Sequence, residues 1–318
     1  MPIIKRFLFY LIRLGLSVFL IFILLRKVNL RCLIGILTSA NFGLLLFSFL
    51  FAQLGYILCF FRWKMILKAM KIKVSLGRLV SIFSASLFFG ALFPSTVGND
   101  LLRSIELMAH TKKTGEVLAG VFLDRLSGYA GMVIVGIFAL FLAIPFGIPK
   151  EIVVGILLLL IVLILIIFGL FNYKIYKALN RLLVKIAYIK LLSSLETMHN
   201  ALFKMRNLRK MLLGNIFISV LVQLSAPITA VIMAKALGFK IGVIYFLLSS
   251  PLITALTMLP ISIAGLGVRD MATVFFFSRF GISQEIAFSL SFLSFGFILG
   301  SVILSGIVYV ATLHYRRL

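Results

Sequence analysis

The sequence predicts an all-α polytopic membrane protein that forms a single integral membrane domain over residues 1–318. Hydrophobic residues make up 63% of the chain and charged residues only 13%, whereas a soluble domain carries roughly 25% charged residues. The apolar residues lie in blocks of about 20, the helix length that crosses the hydrocarbon core of a bilayer. Two shorter apolar blocks end at breaks that contain proline and glycine. We therefore predict about six full transmembrane helices and two re-entrant helical hairpins.

Six apolar blocks are long enough to span the bilayer as helices, which satisfy their own backbone hydrogen bonds in lipid. The first block follows Lys5 and Arg6 as in a signal peptide, but it contains no small-residue cleavage site, so we interpret it as a retained helix. Trp63, just after the second block, is interpreted as an interfacial anchor. The predicted spans are residues 7–25, 41–61, 117–143, 152–171, 211–234 and 286–310.

The charge distribution predicts the orientation of the chain. It carries 32 Lys and Arg against eight Asp and Glu, a net charge of +24. The basic residues lie mostly in short stretches between apolar blocks, as in cytoplasmic loops, and no stretch is long enough for a nucleic-acid-binding domain. If residues 79–110 crossed the membrane fully, the basic segment 172–210 would move outside. Re-entrant hairpins avoid this, and they place both termini in the cytoplasm and the chain in the inner (cytoplasmic) cell membrane.

The longest polar segment, residues 172–210, is predicted to be a cytoplasmic basic amphipathic helix. Lys174, Lys177 and Arg181 recur at helical spacing, and apolar residues line another face. Such a helix lies on the inner leaflet and is attracted to anionic lipid head groups, which are the partners we expect. The alternative is a loop that only fixes the topology.

Both breaks contain the same pattern, an arginine nine residues after a proline. Arg103 follows Pro94 and Arg269 follows Pro260, with glycine and Ser or Thr between them. We therefore predict an inverted repeat whose two re-entrant motifs enter from opposite faces and meet near the midplane at a transport site. The motifs cover residues 79–116 and 241–284, and their backbone breaks are placed at Pro94, Gly98, Asn99, Pro260, Gly265 and Gly267.

The chemistry of the breaks points to an anionic ligand. Proline removes an amide donor and glycine permits unusual backbone angles, so backbone groups stay unpaired, which is tolerated at membrane depth only inside protein or beside a wet cavity. The helix after each break presents its positive dipole end, and Asn99 or Asp100 is placed to cap the first such end. Each arginine adds a fork of donors that suits phosphate.

The acidic residues are scarce, and most lie in or just after the two motifs. Asp124 and Arg125 form a charged pair within an apolar span, where such residues normally face a cavity or a partner. Glu116 and Glu285 are interpreted as solvated turn residues, and Gly296-x-x-x-Gly300 as helix packing. The alternative for the charged pairs is that they merely lock the hairpins in place. The predicted substrate-binding residues are Arg103, Arg269, Asp100, Asp124, Arg125 and Asp270.

Other chemistry is not indicated by the sequence. There is no G-x-x-x-x-G-K-[ST] motif for ATP, the three histidines are isolated and lack metal-binding spacing, and no nucleophile–base pair is visible. We expect no cofactor, no metal and no enzymatic activity.

The two motifs resemble those of the membrane region of lysylphosphatidylglycerol synthases, which is found also in stand-alone flippase-like proteins. The family pattern Pro-x-x-x-Gly-Gly-Asp-x-x-Arg has Asn99 in place of its second glycine, and Asp124 and Asp270 stand where glutamate is common. The resemblance covers essentially the whole chain and implies a lipid translocator without the soluble synthase domain. The matching residues are Pro94, Gly98, Asp100, Arg103, Asp124, Arg125, Pro260, Ser262, Gly265, Gly267, Arg269 and Asp270.

The predicted function is movement of a phospholipid, an aminoacyl-phospholipid or a polyprenyl-phosphate-linked lipid between leaflets, without ATP. Arg103 and Arg269 would hold the phosphate, and the nearby aspartates would orient these arginines or meet a cationic head group. One alternative is an ion-coupled small-solute transporter on the same inverted repeat. The other is a non-transporting membrane partner of a separately encoded lipid-modifying enzyme.

Overall fold

The computed structural model describes residues 22–24, 26, 29–91, 97–171, 209–259 and 265–313, and the regular structure within these ranges is helical. A 3-10 turn, Ile144–Phe146, extends the fifth helix. The helices, numbered in chain order, are α1 (Leu30–Thr38), α2 (Phe42–Ala69), α3 (Leu76–Gly90), α4 (Val97–Thr111), α5 (Thr114–Ala143), α6 (Lys150–Phe171), α7 (Arg209–Ala236), α8 (Val243–Met258), α9 (Val268–Ser278) and α10 (Gln284–Ala311).

Five helices are long and apolar enough to cross a membrane, and they confirm five of the six predicted spans by length and composition. They are α2, α5 with its 3-10 turn, α6, α7 and α10. The first predicted span, residues 7–25, lies mostly outside the described residues. Pro94, Pro260 and nearly all of the predicted basic amphipathic segment 172–210 also lie outside them.

The surface of the long helices is that of a membrane protein. Helix α6 is almost continuously apolar, and its side chains are widely exposed; Val154 and Leu165, for example, are both 63% exposed. Water would penalise this surface strongly, whereas lipid tails match it. The chain is therefore an integral membrane protein with several apolar helices.

Helix α2 continues well beyond the end of its predicted span. Asn41 begins it by accepting a hydrogen bond from the Leu44 N–H at 3.0 Å, and it ends only at Ala69. Trp63 therefore lies within the helix and is fully buried, with its ring 6.0 Å from that of Phe83. The prediction that Trp63 is an interfacial anchor was wrong, because the turn that carries it packs into the core of the bundle.

Two pairs of short helices replace full spans at the predicted re-entrant motifs. Helix α3 has 15 residues and α8 has 16, so at 1.5 Å per residue each is about 22–24 Å long, less than the roughly 30 Å of the hydrocarbon core. Each packs against the short helix that follows it, α3 on α4 and α8 on α9. These lengths and contacts fit hairpins, and re-entry from one membrane face stays a prediction.

Helices α2 and α7 run antiparallel in close contact. Near one end, Ser48 Oγ donates to the Thr229 carbonyl at 2.8 Å, and nearer the other, Asn215 Nδ2 donates to the Arg62 carbonyl at 3.3 Å. The flanking contacts also repeat, since α5 packs on α8 and α10 packs on α3. This is the arrangement expected when the unit from α2 to α5 and the unit from α7 to α10 are inverted copies.

Candidate functional site

A chain of five alternating charges joins α2, α4 and α5. Arg62 Nε and Arg103 Nη2 each donate to one oxygen of Asp124, both at 2.7 Å. Arg103 Nη2 also donates to Asp100 Oδ1 at 2.6 Å, and Arg125 Nε donates to Asp100 Oδ2. The order is therefore Arg62, Asp124, Arg103, Asp100, Arg125. Three arginines against two aspartates leave a formal charge of +1.

The helices themselves bring these charges together. Asp100 and Arg103 are one turn apart on α4 and so share a face, while Asp124 projects from α5 toward both α2 and α4. Asp124 is only 3% exposed and Arg103 only 6%. Charges this deeply buried are stable only when paired. The alternating order of arginines and aspartates gives each carboxylate oxygen of Asp100 and Asp124 a guanidinium partner.

Sequence analysis missed Arg62. It follows an apolar block and precedes several lysines, so it was counted with the basic residues of a cytoplasmic loop. Because α2 continues past it, the side chain is 8% exposed and lies against Asp124, with Nη1 also 3.3 Å from Ser219 Oγ on α7. The predicted site contains equal numbers of arginines and aspartates, so no imbalance of charge in the sequence pointed to a further arginine.

The charge chain lines a cavity of about 270 Å³, which we call the charged cavity. Arg103 Nε, buried at its wall, has no hydrogen-bond partner among the described residues. The cavity therefore offers an anion a net positive charge, and one of its arginines carries a buried donor without a partner among the described residues. Besides the five charged residues, the lining includes Tyr56, Cys59, Ser86, Asn99, Tyr129, Gln223 and Met258.

A second, mainly apolar cavity of about 330 Å³ adjoins the charged cavity between α2, α3 and α10, and we call it the apolar cavity. Tyr56, Phe83 and Leu87 line both cavities and form a shared wall. Ile57 and Phe61, also in its lining, are each 49% exposed on the lipid-facing surface. The charged cavity is thus bordered, on one side, by an apolar space at the edge of the helix bundle.

The second predicted arginine lies in a different polar cluster. Arg269 Nε donates to Ser291 Oγ at 3.2 Å, and Nη2 donates to Asp270 Oδ1 at 3.2 Å. Asp270 also accepts from the hydroxyl of Ser291 and, at 2.9 Å, from the N–H of Gly267, so it caps α9. Arg269 Nη1 has no partner in the described part of the chain. This cluster lines a cavity of about 280 Å³ with the hydroxyl residues Ser250, Thr254, Thr257, Thr273 and Ser294.

The two glycines of the second break adopt the unusual backbone angles that were predicted for them. Gly265 and Gly267 adopt φ values of 76° and 78°, in the left-handed region that glycine occupies without the steric penalty of a Cβ. The turn they form directly precedes Arg269 and orients the first turn of α9.

Two of the three residues predicted at the first break lie within a helix, and the third, Pro94, is outside the described residues. Gly98 and Asn99 are in the first turn of α4, not at a backbone break, and because the helix already begins at Val97, neither Asn99 nor Asp100 is its N-cap residue. Asn99 instead packs on the end of α3, where a Cβ added to Gly90 would lie 1.8 Å from Asn99 Oδ1. The asparagine found in place of the family's glycine thus occupies space left by Gly90.

The two arginine sites are separate cavities that share the walls of α7 and α8. On α7, Val222 and Gln223 line the charged cavity, and Pro227, one turn further on, lines the Arg269 cavity. On α8, the consecutive residues Met258 and Thr257 line the charged and Arg269 cavities respectively. The predicted single midplane site is thus replaced by two neighbouring polar cavities.

Other predicted features have ordinary structural positions. Glu116 and Glu285 lie in the first turns of α5 and α10, where the helix dipole favours a carboxylate. Gly300 packs on the Phe49 ring, but Gly296 faces open space, so only half of that motif packs helices. No group of three His, Cys, Asp or Glu side chains among the described residues is arranged to hold a metal ion.

A family profile described as the lysylphosphatidylglycerol synthase TM region matches residues 10–306. The match includes both arginine sites and every helix described above except the last residues of α10. Neither the comparison with curated proteins nor that with solved structures gives a match.

Proposed function

This chain belongs to the lysylphosphatidylglycerol synthase TM-region family, and on that premise we propose that it moves a phosphate-bearing lipid between membrane leaflets without ATP. The observation that carries the proposal is the contact between the charged cavity and the apolar cavity across the shared wall of Tyr56, Phe83 and Leu87. A ligand that fits both cavities has an anionic head and an apolar chain.

The charge of the site suits one phosphodiester. The charged cavity has a formal charge of +1, so a single phosphate monoanion neutralises it. Arg103 is shared between Asp100 and Asp124, and a phosphate that displaces one of these carboxylates exchanges one charge-assisted hydrogen bond for another. Such an exchange avoids leaving a bare charge in a low-dielectric interior.

The neighbouring Arg269 cavity offers a second position for the head group. It supplies a guanidinium with an unused Nη1 and several hydroxyl groups, and it lies one helical turn away along α7. We propose that the head group passes between the two arginines while the acyl chains stay in lipid.

The apolar cavity favours a lipid over a small solute as the substrate. A solute transporter needs an aqueous route to the charged cavity, whereas this cavity is bordered on the α2–α3–α10 side by residues that face lipid. An anionic head group and an apolar chain are found in phosphatidylglycerol, in an aminoacyl-phospholipid and in a polyprenyl-phosphate-linked lipid. For an aminoacyl head group, the aspartates of the charged cavity provide partners for the ammonium. The proposed activity breaks no covalent bond in the lipid.

Translocation in proteoliposomes tests the proposal. Tail-labelled fluorescent phosphatidylglycerol is distributed over both leaflets, and the fraction that an external quencher reaches within minutes is measured without ATP. We expect protein to raise this fraction well above the half that protein-free liposomes expose. Equal quenching with and without protein, for phosphatidylglycerol and for aminoacyl-phosphatidylglycerol, would contradict the proposal.

A matched pair of variants on α10 links the activity to the apolar cavity. Ser305→Phe adds a ring to the cavity wall, whereas Ile307→Phe adds one at a position that is 61% exposed to lipid. We expect Ser305→Phe to slow translocation at least about tenfold, since its ring overpacks the space that the lipid would occupy, which typically costs about 1–3 kcal/mol, and Ile307→Phe to leave it unchanged. Equal rates in the two variants would mean that the lipid does not use this cavity.

A further inference from the structure

A third cavity, distinct from the two arginine sites, is lined by basic residues at the end of α2. It measures about 740 Å³. We call it the basic cavity and define it by six residues contributed by the end of α2, the turn that follows, the start of α3 and the end of α4: Lys64, Lys68, Lys71, Lys73, Arg78 and His110.

The local structure makes these residues converge. Helix α2 ends at Ala69, and Lys71 then takes a left-handed conformation, φ 55°, which turns the chain so that Lys73 lines the same cavity as Lys64 and Lys68. From the other side, Arg78 Nη1 lies 2.9 Å from the His110 ring nitrogens. Basic side chains also favour the negative end of the α2 dipole.

The cavity differs from an ordinary cluster of topology-fixing charges in two ways. Its floor is apolar and closed, because Leu67, Ile72 and Leu79 are 2%, 6% and 4% exposed. In addition, no Asp or Glu is among the described residues that line it. Lys68, Lys71 and Lys73 are exposed, and together with Lys64 they border a concave space above this apolar floor.

We infer that the basic cavity binds the phosphate of an anionic phospholipid head group at the membrane surface. Several lysines supply charge and mobile donors for phosphate, the apolar floor suits the glycerol and first methylene groups, and the end of a membrane-spanning helix puts the cavity at head-group depth. Phosphatidylglycerol meets these requirements. This site goes beyond the proposed function, and it would exist whether or not the chain translocates lipid.

A binding measurement with matched lysine variants tests the inference. The triple variant Lys64→Gln/Lys68→Gln/Lys73→Gln removes three charges from the basic cavity and leaves Lys71 in its left-handed turn. The control Lys150→Gln/Lys235→Gln/Lys240→Gln removes the same charge from exposed lysines outside it. Water-soluble dihexanoyl-phosphatidylglycerol is titrated into the purified protein in neutral detergent, followed by calorimetry. Dihexanoyl-phosphatidylcholine and inorganic phosphate serve as parallel ligands.

We expect one dihexanoyl-phosphatidylglycerol site of the wild type to weaken at least about tenfold in the cavity variant and to be unchanged in the control variant. Binding of the same lipid in the charged cavity is common to all three proteins and forms a separate site in the titration. Phosphatidylcholine and inorganic phosphate should bind weakly to all three proteins. Equal affinities of the two triple variants would overturn the inference, and inorganic phosphate binding as tightly as the lipid would assign the cavity to free phosphate instead. If the triple variant does not fold, Lys68→Gln alone, at an exposed position, should weaken binding about fivefold.

Discussion

At the scale of single residues, the alternation of charge from Arg62 to Arg125 explains how five ionised groups coexist inside an apolar bundle. An isolated charge at membrane depth costs about 2.5–3.5 kcal/mol on insertion scales and more by simulation. Here each carboxylate lies between two arginines. Loss of one residue of the charge chain therefore leaves a neighbouring buried charge without one of its partners.

Arg62 provides a test of this interdependence. Arg62→Gln should lower the free energy of unfolding by about 3–5 kcal/mol, because it leaves a buried oxygen of Asp124 without its charged partner. The measurement is unfolding of the purified protein in detergent. Arg279→Gln is the matched control, since Arg279 also pairs with a carboxylate, Glu151 at 3.3 Å, but with both side chains almost half exposed.

Exposed ion pairs contribute roughly 0–1 kcal/mol, so Arg279→Gln should scarcely change stability. Similar losses for Arg62→Gln and Arg279→Gln would show that the buried charge chain does not hold α2, α4 and α5 together.

Sequence analysis predicted four members of this chain and missed the fifth. Asp100, Arg103, Asp124 and Arg125 stand out because charges are rare in their surroundings, and the structure brings them together. Arg62 does not stand out, since lysines follow it and an apolar block ends just before it. Packing between helices decides how far a helix continues into a charged stretch. The sequence of one helix alone does not contain that information.

At the scale of elements, five span predictions agree with helices to within a few residues, except at the end of α2. Block length is a strong signal because lipid requires about 20 apolar residues. Helix ends are set by caps and packing, and α2 continues to Ala69 because backbone hydrogen bonds do not require apolar side chains. Gly98 and Asn99 were predicted at a break but lie in α4 for a similar reason, since glycine next to polar residues does not by itself end a helix.

Close packing of α5 on α7 depends on Gly131. A Cβ at this position would lie 2.8 Å from the backbone carbon of Ser219, the residue whose hydroxyl also accepts from Arg62. Gly131→Ala should therefore separate the two helices and destabilise the protein by about 1–3 kcal/mol, measured as detergent unfolding.

Gly296→Ala is the control for this substitution, because no atom lies within 4 Å of its added Cβ. At an unobstructed helical position alanine should stabilise by about 0.5–1 kcal/mol. The two variants are expected to change stability in opposite directions, and a shared sign would mean that α5–α7 contact is looser than the structure indicates.

At the scale of the whole molecule, the antiparallel α2–α7 pair forms the centre of two similar units. Each unit contributes a pair of short helices and the arginine that follows its break, Arg103 or Arg269. These two arginines line neighbouring cavities. The two proline-to-arginine spacings predict an inverted repeat, which stays a prediction that these helix contacts fit. The sequence pattern did not predict two separate cavities, since the walls that they share come from α7 and α8, whose few polar residues are scattered along apolar helices.

The central claim, that Arg103 holds the phosphate of a moving lipid, is tested most directly by translocation of phosphatidylglycerol in liposomes containing an Arg103 variant. Arg103→Ala alone also removes the net positive charge of the charged cavity. The double variant Arg103→Ala/Asp124→Asn is therefore measured beside it, because it keeps the formal charge of +1 but lacks the Arg103 guanidinium. Arg279→Ala serves as the exposed control.

We expect folded Arg103→Ala and Arg103→Ala/Asp124→Asn to lose translocation by at least about tenfold, the effect of removing a hydrogen bond between charged groups worth roughly 1.5–3 kcal/mol. Arg279→Ala should translocate like wild type. Wild-type rates in the charge-balanced double variant would contradict the account.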